Sequence, residues 1–256
     1  MQILLSCAKT MASKTKTPVP FTTTPIYSEN ASTIALYMTQ RTVSELEELL
    51  GVNSNIALQN HERYQVFHSP DTISIPALLA YTGIVFKRID VGSFSEADFI
   101  FAQDHLLLTS FAYGLLRPLD VIKPYRLEGA VKLEELGGNT LFNYWKGFLT
   151  DKFIESIKAK GGILCFLASN EMKQLFHWNK VEKAVQVIVP EFKVWRAGEL
   201  KTVVVYTKMC RGEMTRFIIK NQIKDLEELK TFEWDGFMYN DHLSEGNNWV
   251  FTSDTK

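Results

Sequence analysis

Apolar positions in the first part of the chain recur at helical spacing, while those at its start and centre form short unbroken runs. Leu36, Val43, Leu46 and Leu50 share one stripe and predict helical structure over 32–50. Ser44 followed by Glu47 has the capping-box pattern that would start a second helix inside that span. A further amphipathic helix is predicted over 53–68, with Ile56, Tyr64 and Phe67 facing inward, and another over 75–81, ending at Gly83. Ser95 and Asp98 have the spacing of an N-cap and third helical residue, starting a helix that turns Phe99, Phe101 and Ala102 inward. Residues 10–28 are rich in Thr and Pro without periodicity, which is the pattern of an extended surface loop.

The unbroken runs read as buried strands: 3–5, 106–112, and 163–167, the last ending in the polar turn Ser169-Asn170. A helix over 141–160 is stopped by Gly161-Gly162, and Pro118 and Pro124 punctuate an irregular connector. Strands over 185–195 and 201–207 flank Arg196-Ala197-Gly198-Glu199 as a hairpin. A helix over 209–221 follows, then a short acidic helix and strands near 237–239 and 249–251. No internal repeat and no long linker interrupts this order. The expected architecture is therefore α/β (mixed α+β): a single domain over 1–256, with a central mixed sheet surrounded by helices.

Composition narrows the functional classes. Of 256 residues 46% are hydrophobic, enough for a substantial core, and the net charge of −1 argues against indiscriminate coating of nucleic acid. Any polyanion site must be local. Leu4-Leu5-Ser6-Cys7 looks like a lipoprotein cleavage box, but the apolar run is only Ile3 to Leu5 and no basic residue precedes it, so a first strand is expected. No stretch has the length of a membrane span. Cys7, Cys165 and Cys210 are too few and dispersed for a disulfide framework, which fits a reducing cytoplasm. The five histidines show no metal-ligand spacing, and neither a P-loop, a GxSxG elbow nor a dinucleotide fingerprint is present. No cofactor or metal is expected, and no nucleophile is assigned.

Charge is uneven near the end of the chain. Between 193 and 224 eight basic residues face two acidic ones, a net +6; between 225 and 256 the numbers reverse, a net −6. Such blocks also occur on plain solvated surfaces. Lys208 and Arg211 fall at the predicted start of the 209–221 helix, where cations are unfavourable unless an anion binds there. Arg117-Pro118-Leu119-Asp120 and Pro124-Tyr125-Arg126-Leu127-Glu128 place two arginines on stiffened backbone, suited to phosphate or, alternatively, to ion pairs with Asp120 and Glu128. Ser6-Cys7-Ala8-Lys9-Thr10 follows the first strand, where open α/β sheets bind ligands. Cys210, between Lys208 and Arg211, is expected either to carry a lowered thiol pKa and oxidise before Cys165, or to be an inert filler.

Together these clusters resemble the YaaA peroxide-stress family. SCAKT resembles that family's SPAKT start, and FAQDHLLLTSFAYGLLRPLDVIKPYRLE its most distinctive stretch; LASNE, KMCRGEMTRFIIKN and the final WVF follow in the family's order. The resemblance spans essentially the whole chain. It implies a cytoplasmic protein that limits iron-dependent peroxide damage, with one α/β fold, a basic cleft, DNA binding and a helix-hairpin-helix-like element near the RPLD run. Carried over by position, the cleft residues would be Lys9, Arg117, Tyr125, Arg126, Lys132, Lys208, Arg211 and Arg216. Cys7, Leu107, Phe111, Gly129-Ala130 and Cys210 depart from the family pattern, and Phe111 removes a glycine on which a DNA-gripping hairpin relies.

Two functional classes remain open. One is a monomeric binding protein recognising DNA by structure rather than sequence. The other is an enzyme for a small anionic or nucleotide-like substrate, with Lys9, Tyr125 and Lys208 as acid–base groups. Cleft shape separates them: a deep pocket of roughly 300–1,000 Å³ suits a small ligand, a long groove suits a strand. Direct iron binding has no His/carboxylate cluster behind it.

Overall fold

The computed structural model describes residues 1–254. In chain order its elements are β1 (Gln2–Leu5), α1 (Ser28–Thr39), α2 (Val43–Leu50), α3 (Ser54–Gln65), β2 (Ile75–Pro76), α4 (Ala77–Ala80), α5 (Ile84–Ile89), α6 (Glu96–His105), β3 (Leu106–Ser110), β4 (Gly114–Leu116), β5 (Val121–Ile122), β6 (Lys132–Leu133) and β7 (Asn139–Thr140). Then follow α7 (Leu141–Ala159), β8 (Ile163–Phe166), α8 (Trp178–Ala184), β9 (Gln186–Arg196), β10 (Glu199–Lys201), α9 (Val204–Lys220), α10 (Leu226–Leu229), β11 (Glu233–Trp234), β12 (Phe237–Tyr239) and β13 (Asn248–Asp254).

Nine strands form one sheet in the order β11-β12-β13-β9-β8-β1-β3-β4, with β10 beside β9. Its centre, β13-β9-β8-β1-β3, is parallel, and antiparallel strands close both ends. Parallel strands are covered on both faces, which is why β1 and β3 read as continuous apolar runs and are buried throughout. The chain leaves β1 toward β3 on one side and leaves β8 toward β9 on the other. The gap between β1 and β8 is thus a switch point, and a crevice opens beyond the carboxyl ends of these strands.

Several expectations are corrected. The capping box of α2 is Thr42 with Glu45, not Ser44 with Glu47, because this start keeps Val43 inside the helix and Leu46 and Leu50 on its buried face. Leu36 is half-exposed; the buried face of α1 is Ala31, Ile34, Ala35 and Met38. The segment expected to be a helix over 75–81 is a two-residue strand and the single turn α4, and Gly83 precedes the next helix, α5, instead of ending one. The strand expected over 201–207 stops at Lys201, since α9 already begins at Val204. The strand expected over 106–112 ends at Ser110, the helix expected over 53–68 ends at Gln65, and α8 is not among the expected elements. Other features match: Asn53 caps α3, the Ser95–Asp98 capping box forms, and Ala197-Gly198 turns with both φ values positive between β9 and β10.

Candidate functional site

The crevice beyond β1 and β8 is a cavity of about 460 Å³. Ser6 and Cys7 come from the end of β1, Leu167 and Ser169 from the end of β8, and Phe111 from the end of β3. The two serines tie the loops together: the Ser169 amide donates to Ser6 Oγ at 2.8 Å. The Cys7 amide donates to Thr109 Oγ1 at 3.1 Å, which fixes the loop against β3. Thr10 and Thr82 join the opposite rim through a hydroxyl pair at 2.7 Å and a backbone bond at 3.0 Å.

The last wall is α9, and a glycine sets it in place. A Cβ on Gly212 would lie 2.3 Å from the Val85 carbonyl oxygen and 2.6 Å from the Arg88 Cβ, so only glycine lets α9 approach α5 this closely. Glycine inside a helix costs about 1 kcal/mol relative to alanine, and here the close approach gives it a packing role. With α9 so placed, Lys208 and Arg211 line the cavity.

Three of the expected residues, Lys9, Lys208 and Arg211, therefore share the cavity wall. The other five do not line it. Arg117 donates to Asp120 at 2.9 Å and to the Thr24 carbonyl, so the ion-pair alternative is the one formed. Tyr125 is buried, its hydroxyl paired with those of Tyr81 at 2.6 Å and Ser110 at 2.7 Å, and burial raises its pKa well above the ordinary tyrosine value. Arg126 stands behind the wall, bound to Glu128 at 3.3 Å. Lys132 lies on β6 beside a separate surface groove with Arg41 and Glu45. Arg216 is paired with Asp90 at 3.4 Å and donates to Ser93 Oγ at 3.1 Å.

The basic block of 193–224 is largely neutralised in three dimensions. Lys193, Lys201, Arg216 and Lys220 pair with Glu191, Glu199, Asp90 and Asp98. Lys208 and Arg211 have no ion pair or side-chain hydrogen bond among the described residues. The Nε atoms of Arg117, Arg126, Arg211 and Arg216 are all buried without a partner, but the other three are anchored through their terminal nitrogens. Arg211 alone is not anchored at all, and burial holds its guanidinium pKa below the ordinary value.

The helix-start argument for these cations is corrected. Because α9 begins at Val204, Lys208 is in its second turn and Arg211 further along, outside the reach of the terminal dipole. Cys210 is likewise mid-helix and fully buried, and burial, with Asp235 and Glu213 nearby, raises its thiol pKa, so of the two alternatives the inert filler is the one formed. The hairpin turn that begins at Phe111 is buried beneath Trp145 and Phe142, with Phe111 itself at the cavity wall. Among the described residues no three His, Cys, Asp or Glu side chains gather as metal ligands, and no helix is long and apolar enough to cross a membrane.

The profile described as peroxide stress protein YaaA matches residues 1–243. The chain belongs to the YaaA family. It is similar to a UPF0246 protein of Bacteroides fragilis, 61% identical over 253 residues that span 99% of this chain and 98% of the relative. A UPF0246 protein of Bacteroides thetaiotaomicron is 60% identical over 251 residues, 98% of each chain. One from Teredinibacter turnerae is 35% identical over 258 aligned positions, covering 98% of this chain and 99% of the relative. In this YaaA-family chain, Gly212, Ser169, Thr82 and Glu171 shape the cavity without having been assigned to a site from sequence. Signals were present for three of them: Ser169 and Glu171 lie in LASNE after a predicted strand, and Gly212 is a glycine inside a helical pattern.

Proposed function

We propose that this protein acts in the peroxide-stress response by binding a small anionic, nucleotide-like ligand in the cavity beyond β1 and β8, with Arg211 and Lys208 as its partners. The observation that carries this reading is the unanchored Arg211 guanidinium, partly desolvated on the cavity wall. Such a group gains most from a phosphate or carboxylate, which accepts two parallel N–H···O bonds from it. A volume of 460 Å³ lies within the range of small-molecule sites, roughly 300–1,000 Å³. Apolar walls from Leu5, Phe86, Leu127 and Met172 suit a base or ring behind the charged group. Tyr125 is sealed away from the cavity, so of the three acid–base groups expected from sequence only Lys9 and Lys208 line it.

DNA is the second reading, favoured by the exposure of Lys208 and of the Lys9 ammonium, where backbone phosphates can reach them. On this reading strand phosphates occupy the mouth and affinity falls steeply between about 50 and 200 mM salt. Either ligand serves the same proposed end in the cytoplasm, protection from iron-dependent peroxide damage by a monomer.

Displacement of a fluorescein-labelled single-stranded oligonucleotide by a nucleoside monophosphate tests both. The monophosphate is expected to compete, and Arg211→Gln to weaken it about tenfold, the loss of one charged hydrogen-bonding partner. An oligonucleotide that binds without competition would move the conclusion to DNA. Native affinity for both probes in Arg211→Gln and Lys208→Gln would remove the anion site altogether.

A further inference from the structure

Residues 123–128 pass the cavity without regular secondary structure and lead into a turn at 129–130. Within this segment Glu128 lines the cavity and Arg126 stands behind it. Its two oxygens are divided between two cations: Oε2 lies 3.0 Å from Lys9 Nζ, and Oε1 accepts from Arg126 Nη2 at 3.3 Å. These three groups differ sharply in freedom. Arg126 is 15% exposed, and its neighbours fix it: its Nη1 donates to the Lys9 carbonyl, and its own carbonyl accepts from Tyr64 at 2.7 Å. Lys9 is 67% exposed and Glu128 24%. The Glu128 backbone is pinned by the Val131 amide, but among the described residues its carboxylate is held only by the two cations.

We propose that Glu128 is a resident anion of the cavity, filling between Lys9 and Arg126 the place that a second anionic group of the ligand takes when Glu128 swings aside. This rests on the reading of the cavity as an anion site. The cavity thus has two cationic stations. The one at Lys208 and Arg211 is open, and the one at Lys9 and Arg126 is closed by the protein's own carboxylate. The ligand class that suits both is a small molecule with two anionic groups, such as a diphosphate. A monoanion uses only the open station and gains nothing from moving Glu128.

The opposing role, Glu128 as a clamp that aims Lys9 and Arg126 at the ligand, predicts the opposite sign. Titration calorimetry with inorganic pyrophosphate and with inorganic phosphate, on native protein and Glu128→Gln, separates them. Removing the resident charge is expected to tighten pyrophosphate roughly tenfold, of the order seen for close charge pairs, and phosphate by less. Unchanged or weaker pyrophosphate binding in Glu128→Gln, or no binding to either protein, overturns the proposal. Lys9→Gln supplies a second measurement should Glu128→Gln fold poorly. It removes one cation of the closed station, so it is expected to weaken pyrophosphate more than phosphate; an equal effect on the two would contradict the closed station. Arg211→Gln keeps the two ideas apart. If it abolishes binding while Glu128→Gln changes nothing, the anion site stands and the resident anion falls. If it changes nothing while Glu128→Gln tightens, the resident anion stands and the Arg211 site falls.

Discussion

The two halves of α9 carry similar charge and use it in different ways. In the second half, Arg216 and Lys220 find carboxylates on the loop before α6 and on α6 itself, Asp90 and Asp98. In the first half, Lys208 and Arg211 face the cavity and find none. Both halves lean on the same α5–α6 unit, so the difference comes from where carboxylates were placed on that unit, not from the helix. A count of basic residues along α9 therefore overstates the charge available to a ligand. The partner's position decides it.

The contact that brings both halves into place is the sharpest point at which to break this comparison. Gly212→Ala forces a methyl group against the Val85 carbonyl and Arg88, with no flexible side-chain end to yield on the carbonyl side. Overpacking of this kind costs about 1–3 kcal/mol or more. Urea denaturation should show that loss, together with weakened anion binding because Arg211 moves with the helix. Native stability in the alanine variant would mean that α5 gives way easily and that the spacing does not set the site.

Next in size is the paired half. Asp98 is 6% exposed on its side chain, and its Oδ2 accepts from Lys220 Nζ and from the Ser95 amide, each at 2.7 Å. Burial alone would raise its pKa, but the bonds from Lys220 and Ser95 outweigh burial and hold it below the usual aspartate value. A depressed carboxylate pKa stabilises the fold above the unfolded value, near about 3.9, and that contribution is lost as pH falls through the folded value. Lys220→Gln is expected to destabilise by about 1–3 kcal/mol at neutral pH and to move the acid unfolding midpoint upward. Arg211→Gln, by contrast, should leave stability and acid midpoint where they are, since it breaks no bond. A shared loss of stability in the two variants would erase the distinction between the halves.

A smaller effect separates Arg211 from an ion-paired arginine outside the site. Arg117 covers Asp120, whose carboxylate is 1% exposed and also accepts from the Thr23 hydroxyl and the Arg117 amide. Arg117→Gln should therefore cost stability of about 1 kcal/mol while leaving pyrophosphate affinity unchanged. Weakened binding in that variant would return Arg117 to the site from which its position removes it.

What the sequence disclosed divides along physical lines. The Ser95–Asp98 cap was legible because it is a local bond between residues three apart. Thr42–Glu45 was not, because Thr42-x-x-Glu45 and Ser44-x-x-Glu47 overlap and only packing of Val43 and Leu46 chooses between them. The start of α9 was hidden by Val203-Val204-Val205, whose β-branched side chains favour strand; two of them are exposed, so docking of the rest of the helix overrides the local preference. The clusters at Lys9 and at Lys208–Arg211 were visible as charge, and their meeting at the β1–β8 switch point is a consequence of strand order that no local pattern carries. Two departures from the family pattern also meet only in space. Phe111 packs edge-on against Phe142 at 5.4 Å, and a Cβ at Gly129 would lie 2.2 Å from that same Phe142 ring. The larger residue at 111 and the smallest at 129 accommodate one aromatic ring between them.

The thiols give the finest test of the contrast between cavity and helix interior. Cys7 is half-buried and lines the cavity, whereas Cys165 and Cys210 are fully buried in β8 and α9. Burial pushes the Cys7 and Cys165 thiols each up to about 12 and Cys210 higher still, so none is a ready thiolate at neutral pH despite the cations nearby. Reactivity is then governed by access and by the small thiolate fraction, which grows with rising pH. Iodoacetamide should alkylate Cys7 slowly in the native protein, faster at pH 9 than at about pH 7, and should reach Cys165 and Cys210 only after denaturation. Pyrophosphate bound in the cavity should slow the reaction at Cys7 and leave the other two unaffected. Mass spectrometry of the alkylated peptides reads all three sites at once. Modification of Cys210 ahead of Cys7 would show that α9 opens away from α5 in solution, and the wall that carries Lys208 and Arg211 would then be a moving part rather than a fixed one.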